Sequence, residues 1–224
     1  MKKARLDAGY SITEVVVVAA IVGALIAAAV PSTQQYLDNQ SATDVARSLA
    51  HALHLARTES LRTGRNHVVF FDVGGAGDAA GNSLVDAGGQ PASVVILDDG
   101  LTGSTGQNCR IDSGETTRSI TSDSQYSWGQ TFAGTQKAPG DFTALTLASG
   151  STFAAPSGTP ATWILFRPDG LPVSTDGGCT PGAVGTGNGA IYFTNGDRDY
   201  AITLSALGEA RVHTWNRATA SWKS

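Results

Sequence analysis

Val15 to Val30 reads VVVVAAIVGALIAAAV, sixteen residues without a polar side chain, and no other stretch so narrows what this chain can become. As a helix it is roughly 24 Å long, and with Ser11 to Thr13 added it nearly crosses a ~30 Å hydrocarbon layer. The preceding segment, MKKARLDAG from Met1 to Gly9, carries Lys2, Lys3 and Arg5, a basic start of the kind retained on the cytoplasmic side of a membrane. Glu14 stands at the edge of the apolar run, where a carboxylate placed in a bilayer costs on the order of 2.5–3.5 kcal/mol on insertion scales and needs a cationic partner. Cleavage between Gly9 and Tyr10 would create such a partner, since the new amine of Tyr10 would be open to Glu14 of a neighbouring subunit.

Past Pro31, the segment from Gln35 to Arg62 keeps a helical period. Val45, Leu49, Leu53 and Ala56 recur every three or four residues, with Arg47, His51, Arg57 and Glu59 largely elsewhere. Pro31 removes a backbone hydrogen bond, so a kink or loosened turn is expected there, and Gly64 ends the helix. Tyr10 to Thr63 is 54 residues, roughly 80 Å if wholly helical, a length that suits a bundle of subunits better than one small domain. His51 and His54 lie three apart on it, but no Cys, Asp or Glu at matching positions completes a metal site.

The chain has 224 residues, a formal net charge of -4 and 27 glycines that concentrate after Gly64, which suits short strands joined by loops. Asn66 to Val73 reads as a first strand and Gly74 to Gly89 as a flexible hairpin tip or surface loop. Further strands are expected at Ser93 to Leu97, Ser119 to Ser122, Thr143 to Leu147, Trp163 to Phe166, Ile191 to Thr194 and Tyr200 to Leu204. Pro168-Asp169-Gly170 and Asn195-Gly196-Asp197 read as turns. Asn195, Asp197 and Asp199 alternate oxygen ligands in the manner of a calcium loop, against which stands an ordinary hairpin tip broken by Arg198. Cys109 and Cys179, 70 positions apart, exclude a CxxC pair. In an oxidising compartment they form a disulfide stabilising the head by roughly 4 kcal/mol; the alternative is two separate buried thiols. No Walker loop, nucleophile elbow, zincin pair or EF-hand is present, so no catalytic residue, cofactor or metal is assigned.

The N-terminus resembles that of type IV pilins and type II secretion pseudopilins: a basic leader ending in Gly9, an aromatic Tyr10, Glu14 at the fifth mature position and Pro31 at the twenty-second. Tyr10 stands where Phe is commoner. Within that group the chain looks like the GspH/FimT family of minor pilins and pseudopilins. The matches are Ala56-Arg57-Thr58-Glu59-Ser60 at the end of the helix, Phe166-Arg167-Pro168-Asp169-Gly170 in the head and a closing hairpin around Leu207 to Val212.

The resemblance implies an α+β, pilin-like fold, a long N-terminal hydrophobic helix packed on a C-terminal antiparallel β-sheet head. Residues 1–9 would be the prepilin leader, 10–34 the membrane and assembly helix, 35–64 the amphipathic helix packing on the head, and 65–224 a periplasmic head. It further implies a non-enzymatic structural subunit, single-pass in the bacterial inner membrane and incorporated near the tip of a pilus or pseudopilus. Its partners would be a prepilin peptidase cutting after Gly9 and methylating Tyr10, other major and minor (pseudo)pilins, and an inner-membrane assembly platform.

Other readings stand beside this one. Ala27-Ala28-Ala29 offers a Sec-type cleavage site, which would release a soluble periplasmic protein, and a plain membrane anchor fits the apolar run as well. Some family members bind DNA through a C-terminal Gly-Arg-x-Arg motif. This chain has Gly208-Glu209-Ala210-Arg211 there, leaving Arg211, Arg217 and Lys223 as phosphate contacts, with Trp215 and Trp222 able to stack on bases or to close the last strand.

Overall fold

The structure, a computed structural model, describes residues 11–100, 106–112, 114–120, 126–145 and 150–224, with the backbone alone at 28–32. The chain divides into two units, Met1–Gln40 and Ser41–Ser224. One helix, α1 (Ile12–Thr63), contributes to both. It is unbroken across position 31 and ends where expected: Gly64 takes a left-handed φ of 67° and donates its N–H to the Ser60 carbonyl at 3.0 Å.

The second unit holds two five-stranded antiparallel sheets. The first has the order β3-β2-β1-β5-β6, built from β1 (His67–Phe71), β2 (Val94–Asp98), β3 (Thr117–Ile120), β5 (Trp163–Phe166) and β6 (Pro172–Val173). The second has the order β10-β9-β8-β7-β4, built from β4 (Ser127–Trp128), β7 (Gly189–Thr194), β8 (Asp199–Leu204), β9 (Ala210–Asn216) and β10 (Ser221–Lys223). The expected helix on a single head sheet is corrected: the strands sort into two sheets, and the other helical piece among the described residues is a 3-10 turn at Val73–Gly75.

A single apolar cluster explains how two sheets share one helix. Ala42, Val45, Ala46, Leu49, Leu53 and Ala56 of α1 pack with Val69 and Phe71 of β1, Ile164 and Phe166 of β5, Phe193 of β7 and Ile202 of β8. Five of the buried helix positions between 42 and 56 are alanines, which let the helix backbone come close to both sheets. β1, β7 and β8 are buried on both faces, so their sequences run apolar rather than alternating. The outer face of the first sheet is covered by Leu84, Ala92, Cys109 and Cys179, and that of the second by Ala138 and Trp222.

Loop 74–89, expected as a flexible tip, is ordered and partly buried. The carboxylate of Asp78 accepts the N–H groups of Ala80, Asn82 and Ile111, all at 2.9 Å. These bonds hold its carboxyl below the ordinary range even though its burial acts to raise it. Leu84 beyond it is buried in the outer cluster. Of the expected strand Thr143 to Leu147, residues 143–145 are irregular and the rest lie outside the described residues, as do 121 and 122 of the expected strand Ser119 to Ser122.

One small hairpin occurs three times. Val85 bridges Pro91, Ala154 bridges Pro160 and Thr175 bridges Pro181. In each, the residue after the proline donates to the carbonyl of the residue before the bridge: Ala92 to Leu84 at 2.9 Å, Ala161 to Phe153 at 2.8 Å, Gly182 to Ser174 at 2.7 Å. The fourth residue past the bridge is left-handed each time, Gly89 at φ 78°, Gly158 at 83° and Cys179 at 60°. Cys179 thus occupies a glycine position, which costs a non-glycine residue about 1–2 kcal/mol.

Among the described residues no helix is long and apolar enough to cross a membrane. The apolar run alone reaches roughly 24 Å against a ~30 Å layer, and α1 then continues into Thr33, Gln34 and Gln35. The expected single-pass placement in the inner membrane, with a periplasmic head, is corrected accordingly.

Because Leu53 is fully enclosed between α1 and the sheets, Leu53→Ala should lower unfolding stability by about 2–5 kcal/mol, measured by denaturant titration of the head's tryptophan fluorescence.

Candidate functional site

From Val15 to Ile26, in the first unit, the helix is apolar on every side. Ile12, Val15, Val16, Val17, Val18, Ile21, Val22, Leu25 and Ile26 are 46–83% exposed. Four consecutive valines step through a full helical turn at about 100° each, so the surface they make is a sleeve rather than a stripe. Fully burying each such side chain is worth about 1.5–3 kcal/mol, which leaves a strong drive to cover this segment with other apolar surface. Glu14 sits in the first turn of α1, where the helix dipole favours an acid, and among the described residues it has no ion-pair partner. Gly9 and Tyr10, the expected processing pair, lie outside the described residues, and Pro31 is described by its backbone alone.

The three expected phosphate contacts are not brought together. Arg211 on β9 is held by Glu209, with Nε and Nη2 at 2.9 and 2.8 Å from Oε1. It lines one cleft with Phe142, His213 and Ser224. Arg217 lies over the Phe132 ring at 3.3 Å from its centroid and 3.8 Å from Asp197, and it shares a different cleft with Lys223 and Arg198. Trp215 and Trp222 pack edge to face at 5.4 Å across β9 and β10. Trp215 is buried, so the closing strands use both rings for packing.

The turn at 195–197 is organised around its own backbone. Asn195 Oδ1 accepts the N–H groups of Asp197 and Arg198 at 3.1 and 2.8 Å. Asp199, fully buried, accepts those of Thr131, Phe132 and Ala133 between 2.6 and 3.1 Å. The oxygens of Asn195 and Asp199 are thus aimed at backbone donors, while the Asp197 carboxylate lies 3.8 Å from both Arg198 and Arg217. On the second sheet's outer face, Asp141 accepts the Thr152 and Tyr192 hydroxyls, both at 2.8 Å, and burial keeps the Tyr192 phenol protonated by raising its pKa.

Cys109 and Cys179 form the expected disulfide, with Cα atoms 5.2 Å apart. Beside it lies a carboxylate that sequence reasoning missed. Asp99 is fully buried, accepts the N–H of Cys109 at 3.3 and 3.4 Å and that of Asn108 at 3.4 Å, and places Oδ2 3.1 Å from the Cys179 sulfur. Asp99 and the two sulfurs are metal-binding types of atom within 4.8 Å of one another, but sulfurs joined to each other have no thiolate to offer. Burial raises the Asp99 carboxyl to about 7, over the opposing bonds from Cys109 and Asn108, and the negative charges of Glu115 and Asp112 add to the rise. Asp98-Asp99-Gly100 reads as an ordinary turn in sequence, so only the fold reveals it.

Comparison with protein-family models, curated proteins and solved structures found no match to this chain.

A carboxyl whose folded pKa is raised contributes stability that is fully present below its unfolded value and is lost as pH rises through the folded one. Asp99 should therefore weaken the oxidised head steadily between about pH 4 and about pH 7. Asp99→Asn should remove that part of the slope, so that its denaturation midpoint rises relative to wild type across the same interval.

Proposed function

We propose that this chain is a minor pilin or pseudopilin, a structural and non-catalytic subunit of a type IV pilus or a type II secretion pseudopilus, placed near the filament tip. The observation that carries this reading is the sleeve of exposed apolar side chains from Ile12 to Ile26 on a continuous helix. A surface apolar on all sides is satisfied by a bundle of equivalent helices, which covers it on all sides at once.

Glu14 supports the reading from the electrostatic side. As a subunit enters the bundle, its carboxylate leaves water and needs a cation, and the amine of a neighbour's Tyr10, freed by a prepilin peptidase cutting after Gly9, supplies one. Until that pairing is made the charge opposes burial, so subunits dock in one register. The head, rigidified by its two sheets and its disulfide, presents the surface that selects neighbouring pilins and the assembly platform.

The test is made in the native host. Mass spectrometry of the mature chain should find N-methylated Tyr10 as its first residue, and Glu14→Ala should be missing from purified filaments while its head keeps the wild-type unfolding transition. A mature start near Val30, or a Glu14→Ala chain incorporated at the wild-type level, overturns the proposal.

A further inference from the structure

The contact between Asp99 and the disulfide has no stabilising account as it stands. A disulfide sulfur carries no proton, so the Cys179 sulfur, 3.1 Å from Asp99 Oδ2, gives that carboxylate nothing. The oxygen is nevertheless buried, and among the described residues Asp99 forms no ion pair. Neighbouring charges do not help it. Asp98, the last residue of β2 and the neighbour of Asp99 in the chain, is turned to Arg65 at 3.5 Å. The loop carrying Cys109 brings Asp112 and Glu115, and the hairpin carrying Cys179 brings Asp176, whose Oδ1 accepts the N–H groups of Gly178 and Thr180.

The same geometry becomes favourable once the sulfur bears a hydrogen. A Cys179 thiol at this separation donates to the Asp99 carboxylate, and the Thr175 hydroxyl, 3.9 Å from the Cys109 sulfur, is the matching neighbour on the other side. We propose that Asp99 and the Cys109–Cys179 pair form a proton-linked redox switch, in which reduction makes Cys179 a hydrogen-bond donor to the Asp99 carboxylate and so drives a proton off Asp99.

The exchange balances with a small dithiol as reductant. Its thiolate attacks the Cys179 sulfur, the less enclosed of the two, the Cys109–Cys179 bond breaks and Cys109 leaves as a thiolate that takes up a proton. The second thiol of the reductant then closes its own disulfide, and Cys179 leaves and is protonated in turn. Two electrons and two protons pass from reductant to protein. Where the oxidised protein holds Asp99 protonated and the reduced protein does not, one further proton goes to solvent. The position at 179 suits such a switch, because its left-handed backbone is borne by a cysteine where the two sister hairpins carry glycine.

The proposal is independent of the filament reading and is tested on the full-length chain, kept dispersed in mild detergent and equilibrated with mixtures of reduced and oxidised dithiothreitol. The fraction of protein disulfide is read by thiol alkylation and mass. Because the reference dithiol exchanges the same two protons, an unlinked disulfide gives an equilibrium constant independent of pH. The wild-type constant for reduction should instead rise by about fivefold or more between about pH 5.5 and about pH 7.5 and then level off, whereas Asp99→Asn should be flat. A flat wild-type profile, or an Asp99→Asn profile as steep as wild type, overturns the proposal. If Asp99→Asn does not fold, the Asp99 carboxyl is followed in wild type by carbon NMR in both redox states. A lower titration midpoint in the reduced protein supports the switch, and an equal or higher one overturns it.

Discussion

Everything in the second unit depends on one constraint: a single helix has to fill the space beside two sheets at once. Ala46, Ala52 and Ala56 have no exposed surface, and Leu49 and Leu53 almost none, so small residues set how near the backbone comes while two leucines fill the remaining volume. Enlarging any of these alanines would push α1 off one sheet or the other. Smaller leucines would leave cavities that neither sheet could close alone. The same helix that is apolar all round between Val15 and Ile26 is apolar on one stripe between Ala42 and Ala56, so its sequence changes character with the number of sides that need cover.

The head spends its buried acids on backbone rather than on cations. Asp78 and Asp199 each gather three backbone N–H groups, and Asp141 gathers the hydroxyls of Thr143, Thr152 and Tyr192. In a chain with 27 glycines, long loops lose much conformational entropy on folding, and a carboxylate that anchors several amides offsets part of it at a single point. Asp99 departs from this pattern, since its amide contacts are longer and one oxygen faces sulfur. Ion pairs lie nearer the surface, as where Glu59 joins Arg62 and Arg118. Its hydrogen bond to Arg62, followed by the charges of both arginines, holds its carboxyl below the ordinary range.

Strands with a strong apolar run were legible in the sequence. VVFF in β1, WILF in β5 and AITL in β8 are each too apolar for a loop, and Val45, Leu49, Leu53 and Ala56 announce the buried stripe of α1 through their spacing. β4, β6 and β10 have two or three residues, too few for any period to register. The partition into two sheets was illegible for a different reason: an apolar run says that a strand is buried, not which strand it pairs with. The disulfide was legible because only two cysteines exist. Its carboxylate neighbour was not, since Asp99 reaches it through loops whose paths no local pattern encodes. The threefold hairpin left a faint trace, a proline six residues after each bridge position, visible only once the bridges are known.

Those prolines bear on how the molecule behaves in a crowd. An open sheet invites strands from other molecules to extend it, and proline, lacking an N–H, cannot donate to a new neighbour. Each of the three hairpins stops at such a residue. Three of the four sheet edges are similarly blunted, since β4 and β6 have two residues each, β6 opening on Pro172, and β10 has three, while the fourth edge, β3, is four residues long and carries the charged Arg118. A head built in this way resists fusing edge to edge into fibrils even where many copies are held side by side, so contact between copies is left to surfaces that do not propagate a ladder.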